Sequence, residues 1–182
     1  SLLHYTTAGT QSQYLMEEKI MTNRELSASI KNDLKAAGID PRAVRVSVRD
    51  AGYSTAAHIR IMSPEVSAEA VRRILAYRES YDRDERTGEI LAGANLYIFV
   101  EYADGIFDTV AQEWAATARG VLASKDETTR IFDGLYLINW ERSGRLSVRQ
   151  QNAEYSGNVN ISGFADLCKY IYKFAHFGSI VA

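Results

Sequence analysis

Cysteine and proline are scarce in this chain: its 182 residues include a single cysteine, Cys168, and two prolines. A lone cysteine can form no internal disulfide and cannot supply a zinc site by itself, which favours a reducing compartment, so we expect the protein in the cytoplasm. The longest uncharged apolar stretch, residues 90–100, is well short of the ~20 residues that span a bilayer. No basic segment followed by an apolar run opens the sequence, so we expect no signal peptide.

The chain also lacks a large excess of either positive or negative charge. The chain has 21 basic and 23 acidic residues, which gives a formal net charge of -2 and a pI near 5.9. This balance argues against a protein that coats nucleic acid non-specifically, because such binding needs a basic surface, and equally against a polyanionic DNA mimic. Any electrostatic specificity must come from how the charges are distributed over the surface.

Hydrophobic spacing in residues 22–103 predicts a first α+β module. Thr22 and Glu25 have capping-box spacing, and apolar residues then recur at helical intervals, which predicts a helix over 22–37. Alternation predicts a hairpin with strands over 44–49 and 58–61. A serine before Pro64 predicts a second helix from there to about Tyr81. The charged segment 82–93 is predicted to be a loop, and 95–102 a strand.

Residues 104–182 are predicted to form a second module after an N-terminal segment, 1–21. The pattern indicates a helix over 107–122, a charged linker over 124–130, strands over 135–140 and 145–149 with a turn at 141–144, a further strand around 159–161, and a helix over 164–177. The expected fold class is α+β, with helices packed on one side of small antiparallel sheets.

Part of the first module recurs in the second. The run Arg45-Val46-Ser47-Val48-Arg49 reappears as Arg145-Leu146-Ser147-Val148-Arg149, and each copy is followed by a Tyr-Ser pair, a strand ending in isoleucine and a helix. Chance similarity between two runs of ordinary β-formers would explain the five-residue motif alone. The common order of all four features favours an internal duplication of one helix-strand-strand-helix module.

This order of helix, Arg-Val-Ser-Val-Arg strand, Tyr-Ser turn and second strand resembles the large polyvalent protein-associated domains of phage and conjugative-element proteins. Residues 22–81 match that order best, whereas the second copy has an additional strand before the motif. The whole chain also resembles, more distantly, type II anti-CRISPR inhibitors from gut-bacterial mobile elements. The resemblance implies a mobile-element protein and carries no particular chemistry with it.

The alternation of apolar and polar residues in the predicted hairpins also predicts a candidate binding face. If the valines and isoleucines of the hairpin point into the core, the residues between them share the opposite, basic face. Such a face suits phosphates or carboxylates, although most exposed arginines of a solvated sheet have no partner. The candidate residues are Arg45, Ser47, Arg49, His58 and Arg60 in the first copy and Arg145, Ser147, Arg149, Asn158 and Asn160 in the second.

Signals for catalysis are missing. His4, His58 and His176 are isolated and lack metal-ligand spacing, and no Gly-rich phosphate-binding loop occurs, so we expect no metal, no cofactor and no enzymatic activity. Cys168 lies in a helical apolar stripe and is predicted to fill core space. The charged loop 82–93 suits a solvated segment or an arm against a basic partner. Several tyrosines either complete a core or anchor an interface: Tyr53, Tyr81, Tyr97, Tyr155, Tyr170 and Tyr172.

Three classes of function remain at this point. The first is a mobile-element inhibitor that binds a host defence nuclease stoichiometrically, with the protein–RNA complex of an RNA-guided type II CRISPR effector as the expected partner. The second is a nucleic-acid-binding accessory protein of a phage or conjugative element, against which the acidic pI counts. The third is an enzyme, against which the missing motifs count. A monomer and a homodimer are both compatible with the sequence.

Overall fold

A computed structural model describes residues 21–81, 83–90, 95–140, 143–152 and 156–182, and the expected N-terminal segment lies almost wholly outside them. The described chain contains α-helices and two small sheets, which confirms the α+β class. In chain order the elements are α1 (Asn23–Ala36), β1 (Val44–Ala51), β2 (Ser54–Ile61), α2 (Ala68–Leu75), β3 (Leu96–Tyr102), α3 (Ala115–Leu122), β4 (Thr128–Phe132), β5 (Leu135–Trp140), β6 (Arg145–Gln151), β7 (Ser156–Ile161) and α4 (Phe164–Phe177).

Helix α1 begins as its sequence predicts. The Thr22 hydroxyl accepts a hydrogen bond from the Glu25 amide, and the Glu25 carboxylate accepts one from the Thr22 amide, which completes the capping box. Ile30 and Leu34 lie one turn apart and are buried against the first sheet. The helix stops before Gly38, whose φ of 89° lies in the left-handed region that favours glycine.

The first sheet has the order β1-β2-β3. Strands β1 and β2 form the predicted antiparallel hairpin, and the two residues between them include Gly52 at a φ of 66°, as tight hairpin turns require. Strand β3, however, runs parallel to β2. The expectation of purely antiparallel sheets is therefore wrong here, because α2 carries the chain back along the sheet before β3 joins it.

Helix α2 starts later and ends earlier than predicted. Its cap is Ser67, whose side chain accepts a hydrogen bond from the Ala70 amide at 3.2 Å, whereas the predicted cap, Ser63, accepts one from the Glu65 amide in a local turn. The Tyr102 hydroxyl fixes the true start: it donates to the Val66 carbonyl and accepts from the Ala68 amide. After Leu75 the chain continues only as a 3-10 turn, Ala76–Arg78.

The second sheet is antiparallel throughout, in the order β4-β5-β6-β7. Strand β4 was not predicted, because its charged surroundings resemble a linker and the pairing with β5 that stabilises it is not visible locally. The helix expected over 107–122 is divided into a 3-10 segment, Val110–Trp114, and α3. Helix α4 has the predicted bounds and ends at Gly178, with φ 69°.

Buried apolar side chains form two clusters. One joins α1, β1, β2 and α2, with Ile59, Ile61, Val71 and Leu75 fully buried. The other joins the second sheet to α3 and α4, with Leu135, Val148 and Ile171 fully buried. Tyr102 packs against both clusters. No helix in the described ranges is long and apolar enough to cross a membrane.

The structure does not show the internal duplication. The repeated motifs do occupy equivalent first strands of two hairpins, but their registers differ by two residues: Val46 pairs with Ile59, whereas Leu146 pairs with Ile161. The neighbouring elements differ as well. A helix precedes β1 and a parallel strand adds to β2, whereas β4 and β5 precede β6 and α4 follows the last strand.

A polar cluster ties α1 to the end of α2. Asp33 accepts hydrogen bonds from the Tyr77 hydroxyl and from the Arg78 guanidinium, which also donates to Ser29 at 2.7 Å. The hydrogen bond from Arg78 is the main reason that the pKa of Asp33 lies below its ordinary value of 3.8. The Asp33 and Arg78 side chains are largely buried, so their ion pair is shielded from solvent more than a surface pair would be.

We predict that Asp33→Asn lowers the free energy of unfolding by about 1–3 kcal/mol, because the hydrogen bonds to a charged group are weakened. A carboxyl with a lowered pKa contributes stability above its unfolded pKa and loses it as pH falls through the folded value. The wild type should therefore lose more stability than the variant between pH 5 and pH 3 in urea unfolding. Equal pH dependence of the two proteins would contradict the role of this carboxylate.

Candidate interface on the first sheet

The solvent side of the first sheet brings all the candidate residues of the first copy together. Ala57, Ile59 and Ile61 of β2 are buried, and the residues between them point to the opposite side. We call this side the outer face and define it by Arg45, Ser47, Arg49, His58, Arg60, Tyr97, Phe99 and Glu101. The register aligns these residues in rows across the sheet: Ser47 beside His58 and Phe99, and Arg45 beside Arg60 and Glu101.

Aromatic rings form a continuous line on the outer face. His58 stacks on Phe99 with ring centroids 5.1 Å apart and planes 20° from parallel. Phe99 neighbours Tyr97 at 6.5 Å, and Tyr97 neighbours Tyr81 at 5.4 Å. Phe99 is half exposed and Tyr81 is 38% exposed, so these rings are not core residues. A large apolar ring left in solvent on a sheet face is the kind of feature that marks an interaction surface.

Sequence reasoning missed Phe99. A strand is predicted over residues 95–102, but the alternation of Phe99 and Glu101 with Ile98 and Val100, which is that of a half-buried strand, was not used to assign a face to Phe99. That alternation could have been recognised. The position of Phe99 beside His58 could not, because it depends on the parallel pairing of β3 with β2.

Positive charge lies mainly along β1. Arg45 and Arg49 are exposed, and neither forms an ion pair with any residue that the structure describes. Arg60 donates to Asp104 at 3.0 Å, but both side chains are open to solvent, where such a pair contributes little and is easily exchanged. The outer face therefore combines free guanidinium groups on one edge with stacked rings toward the other.

The second sheet does not present an equivalent face. Arg145 is exposed, as predicted, and Asn158 and Asn160 are exposed on β7. Ser147, in contrast, is fully buried and accepts a hydrogen bond from the Trp140 indole at 2.8 Å. Arg149 is half-buried, and its Nε donates to Asn158 at 2.9 Å. The prediction of a matching open basic face is wrong for this copy, because Trp140 lies across it.

The other sequence candidates fall in the core or outside the described ranges. Cys168 is buried within the second cluster, which confirms its predicted packing role, and burial raises the pKa of its thiol. Tyr172 is buried and Tyr170 half-buried, whereas Tyr53 is 88% exposed at the hairpin turn. His4 and Tyr155 lie outside the described residues. Among those that are described, no His, Cys, Asp and Glu side chains group as metal ligands.

Comparison of the chain with known protein families, curated proteins and solved structures finds no match. The resemblance to large polyvalent protein-associated domains and to type II anti-CRISPR proteins therefore stays a prediction from sequence.

The contact between Trp140 and Ser147 can be tested directly. We predict that Trp140→Phe lowers the free energy of unfolding by about 1 kcal/mol, because the buried Ser147 hydroxyl loses its hydrogen-bond donor. Ser147→Ala and the double variant complete a cycle that separates the hydrogen bond from the loss of ring area. Chemical unfolding of the three variants measures the coupling free energy, and strictly additive losses would contradict the assignment.

Proposed function

We propose that the protein works by binding, and that its outer face contacts the bases and phosphates of nucleic acid held in a protein–RNA complex. Its target is the RNA-guided effector nuclease of a type II CRISPR system, which it inhibits stoichiometrically. The observation that supports this binding mode is the line of stacked rings beside exposed arginines on one sheet face. The identity of the target follows from the sequence resemblance alone.

Stacked rings and arginines have complementary uses in such a contact. A half-exposed ring such as Phe99 offers an unpaired base a stacking partner, and base–aromatic stacking contributes about 1–3 kcal/mol per base. Arg45 and Arg49 lie two strands away from Phe99, about 10 Å at the usual strand spacing. Planar guanidinium groups at that edge can bind phosphate oxygens in bidentate fashion.

The overall charge favours a target that combines protein and RNA. With a net charge of -2, the chain has no long-range attraction for free nucleic acid, and its face also carries Glu101 and Asp104. Affinity must then come from additional contacts that a protein surface supplies. Effector nucleases have separable steps of guide loading, target binding and conformational licensing, so a binder of modest size can block cleavage at any of them.

The second candidate is an accessory protein that binds free single-stranded nucleic acid through the same outer face. The aromatic line favours it, because sequence-tolerant stacking is how single strands are commonly held. A mobility-shift assay with single-stranded RNA, single-stranded DNA and duplex DNA distinguishes the two candidates. Tight binding to free single strands that weakens steeply with salt would favour the accessory role over the inhibitor.

Titration into a target-cleavage reaction tests the proposed mode of inhibition. We expect the endpoint at a fixed molar ratio close to the amount of nuclease, because a binder blocks one complex at a time. Lengthening the preincubation should leave that endpoint unchanged. Complete inhibition at strongly substoichiometric amounts would mean catalytic turnover, and no inhibition at large excess would remove the effector as target.

Variants of the outer face test which surface makes the contact. Reversing Arg45, Arg49 and Arg60 to glutamate should weaken inhibition at least about tenfold without unfolding the protein, because these side chains point away from the core. Phe99→Leu should also weaken binding, whereas Phe99→Tyr, which keeps a stacking ring, should not.

The matched control for the charge reversal is Arg24→Glu, Lys31→Glu and Lys125→Glu together, which changes the net charge equally at exposed positions away from the outer face. Circular dichroism establishes that both triple variants are folded. Equal inhibition by the two triple variants would remove the outer face from the mechanism.

A further inference from the structure

A cavity of about 680 Å³ lies where the chain passes from the first module to the second. One wall is the end of β3 with the segment that follows it, residues 102–112, and the other is one side of α4. The size falls within the usual range for small-molecule sites, and its lining is mainly apolar and aromatic, with Tyr102, Phe107, Phe164 and Tyr170 contributing rings. The cavity shares no residue with the outer face.

Lys173 is the unusual residue of this cavity. Its side chain lines the space although the residue is only 9% exposed. The ammonium lies over the ring of Tyr102 at 5.1 Å, with Tyr170 at 5.9 Å and Phe107 at 6.0 Å from it. No carboxylate in the part of the chain that the structure describes forms an ion pair with it. Burial lowers the pKa of Lys173 to about 8.

The charged groups around Lys173 do not neutralise the positive charge of its ammonium. Lys169 from the same helix and Arg72 from α2 add to the positive potential and lower the pKa of Lys173 further. Asp166, which also lines the cavity, is already engaged by Lys169 at 2.8 Å and by Ser162. Asp108, at the opposite wall, is exposed to solvent. A buried ammonium without a counter-ion is costly, and cation–π contacts offset only part of that cost.

We propose that this cavity binds a small organic anion, whose carboxylate or phosphate pairs with the Lys173 ammonium while its apolar body lies against the Tyr102, Phe107 and Tyr170 rings. The anion would supply the missing counter-charge in a place shielded from water, where an ion pair is stronger than at the surface. Apolar walls much larger than an inorganic ion favour an organic ligand over free phosphate or sulfate.

Binding should depend on pH in a defined direction. Lys173 is charged below its pKa and neutral above it, so affinity for an anion should fall as pH rises past about 8. Arg72 and Lys169 are the basic groups that face Lys173, and burial raises the pKa of Tyr102 above its ordinary value of 10.0 and the pKa of the Cys168 thiol above 9.0. Hydrogen bonds from Lys169 and Ser162 lower the pKa of Asp166 to about 2, so we expect the titration of Lys173 to set the pH dependence of anion binding between pH 7 and pH 9.

Benzoate, phenyl phosphate and the neutral benzamide are suitable probes, titrated into the full chain and followed by amide NMR shifts. We expect saturable shifts at Tyr102, Phe107 and Lys173 with at least one anion, and binding of benzamide at least about tenfold weaker. The anion that binds more tightly identifies carboxylate or phosphate as the preferred group. No saturable shift at these residues with either anion, or equal affinity for benzamide, would overturn the proposal.

Variants at Lys173 distinguish an anion site from a buried lysine that only packs. Lys173→Met keeps the length and removes the charge, so it should lose anion binding at least about tenfold and leave benzamide binding unchanged. Lys125→Met, at an exposed position, is the matched control and should bind as the wild type does. If Lys173→Met fails to fold, the wild-type pH titration decides: affinity that does not fall between pH 7 and pH 9 contradicts the proposal.

Discussion

The hydroxyl and ring of Tyr102 are the contact on which the arrangement of the two modules depends. The hydroxyl bridges the Val66 carbonyl and the Ala68 amide, which fixes the first turn of α2 against the end of β3. The ring packs edge-on against Phe107 at 4.8 Å and belongs to both apolar clusters. One side chain therefore caps a helix start, ends a strand, packs against both apolar clusters and lines the cavity beside α4.

Because side chains alternate along each strand, the first sheet has a buried inner side and a solvent-exposed outer side. On its inner side, small and β-branched residues such as Ala57 and Ile59 leave room for α1 and α2 to pack closely. On its outer side, the alternate positions carry mostly long or aromatic side chains, and among the described elements no helix packs on them. The proposed interface and the stability of the module therefore depend on different residues of the same strands, so either can be altered without the other.

Local pattern was enough to predict several elements. The capping box at Thr22, the alternation in 44–49 and the apolar stripe of α4 each depend on residues close in sequence, and the structure has those elements where they were expected. The same alternation placed Arg45, Arg49, His58 and Arg60 on one side of the first hairpin correctly.

The sequence predictions were wrong for elements whose position depends on residues distant in sequence. The start of α2 depends on Tyr102, which is far from it in sequence, and β4 is a strand because β5 pairs with it. The two similar runs differ in exposure because the Trp140 indole contacts the buried Ser147, whereas Ser47 is exposed. No local pattern in the chain carries that information.

The hairpins that contain residues 45–49 and 145–149 differ in register by two residues, which is an even number. Sliding one strand by a single residue would turn its valines outward, but sliding it by two restores every side chain to its original side. The connecting loops also differ in length by two residues: two residues lie between β1 and β2, and four lie between β6 and β7. Insertions in even steps can thus reshape the tip of such a hairpin while every side chain of its strands stays on the same side of the sheet.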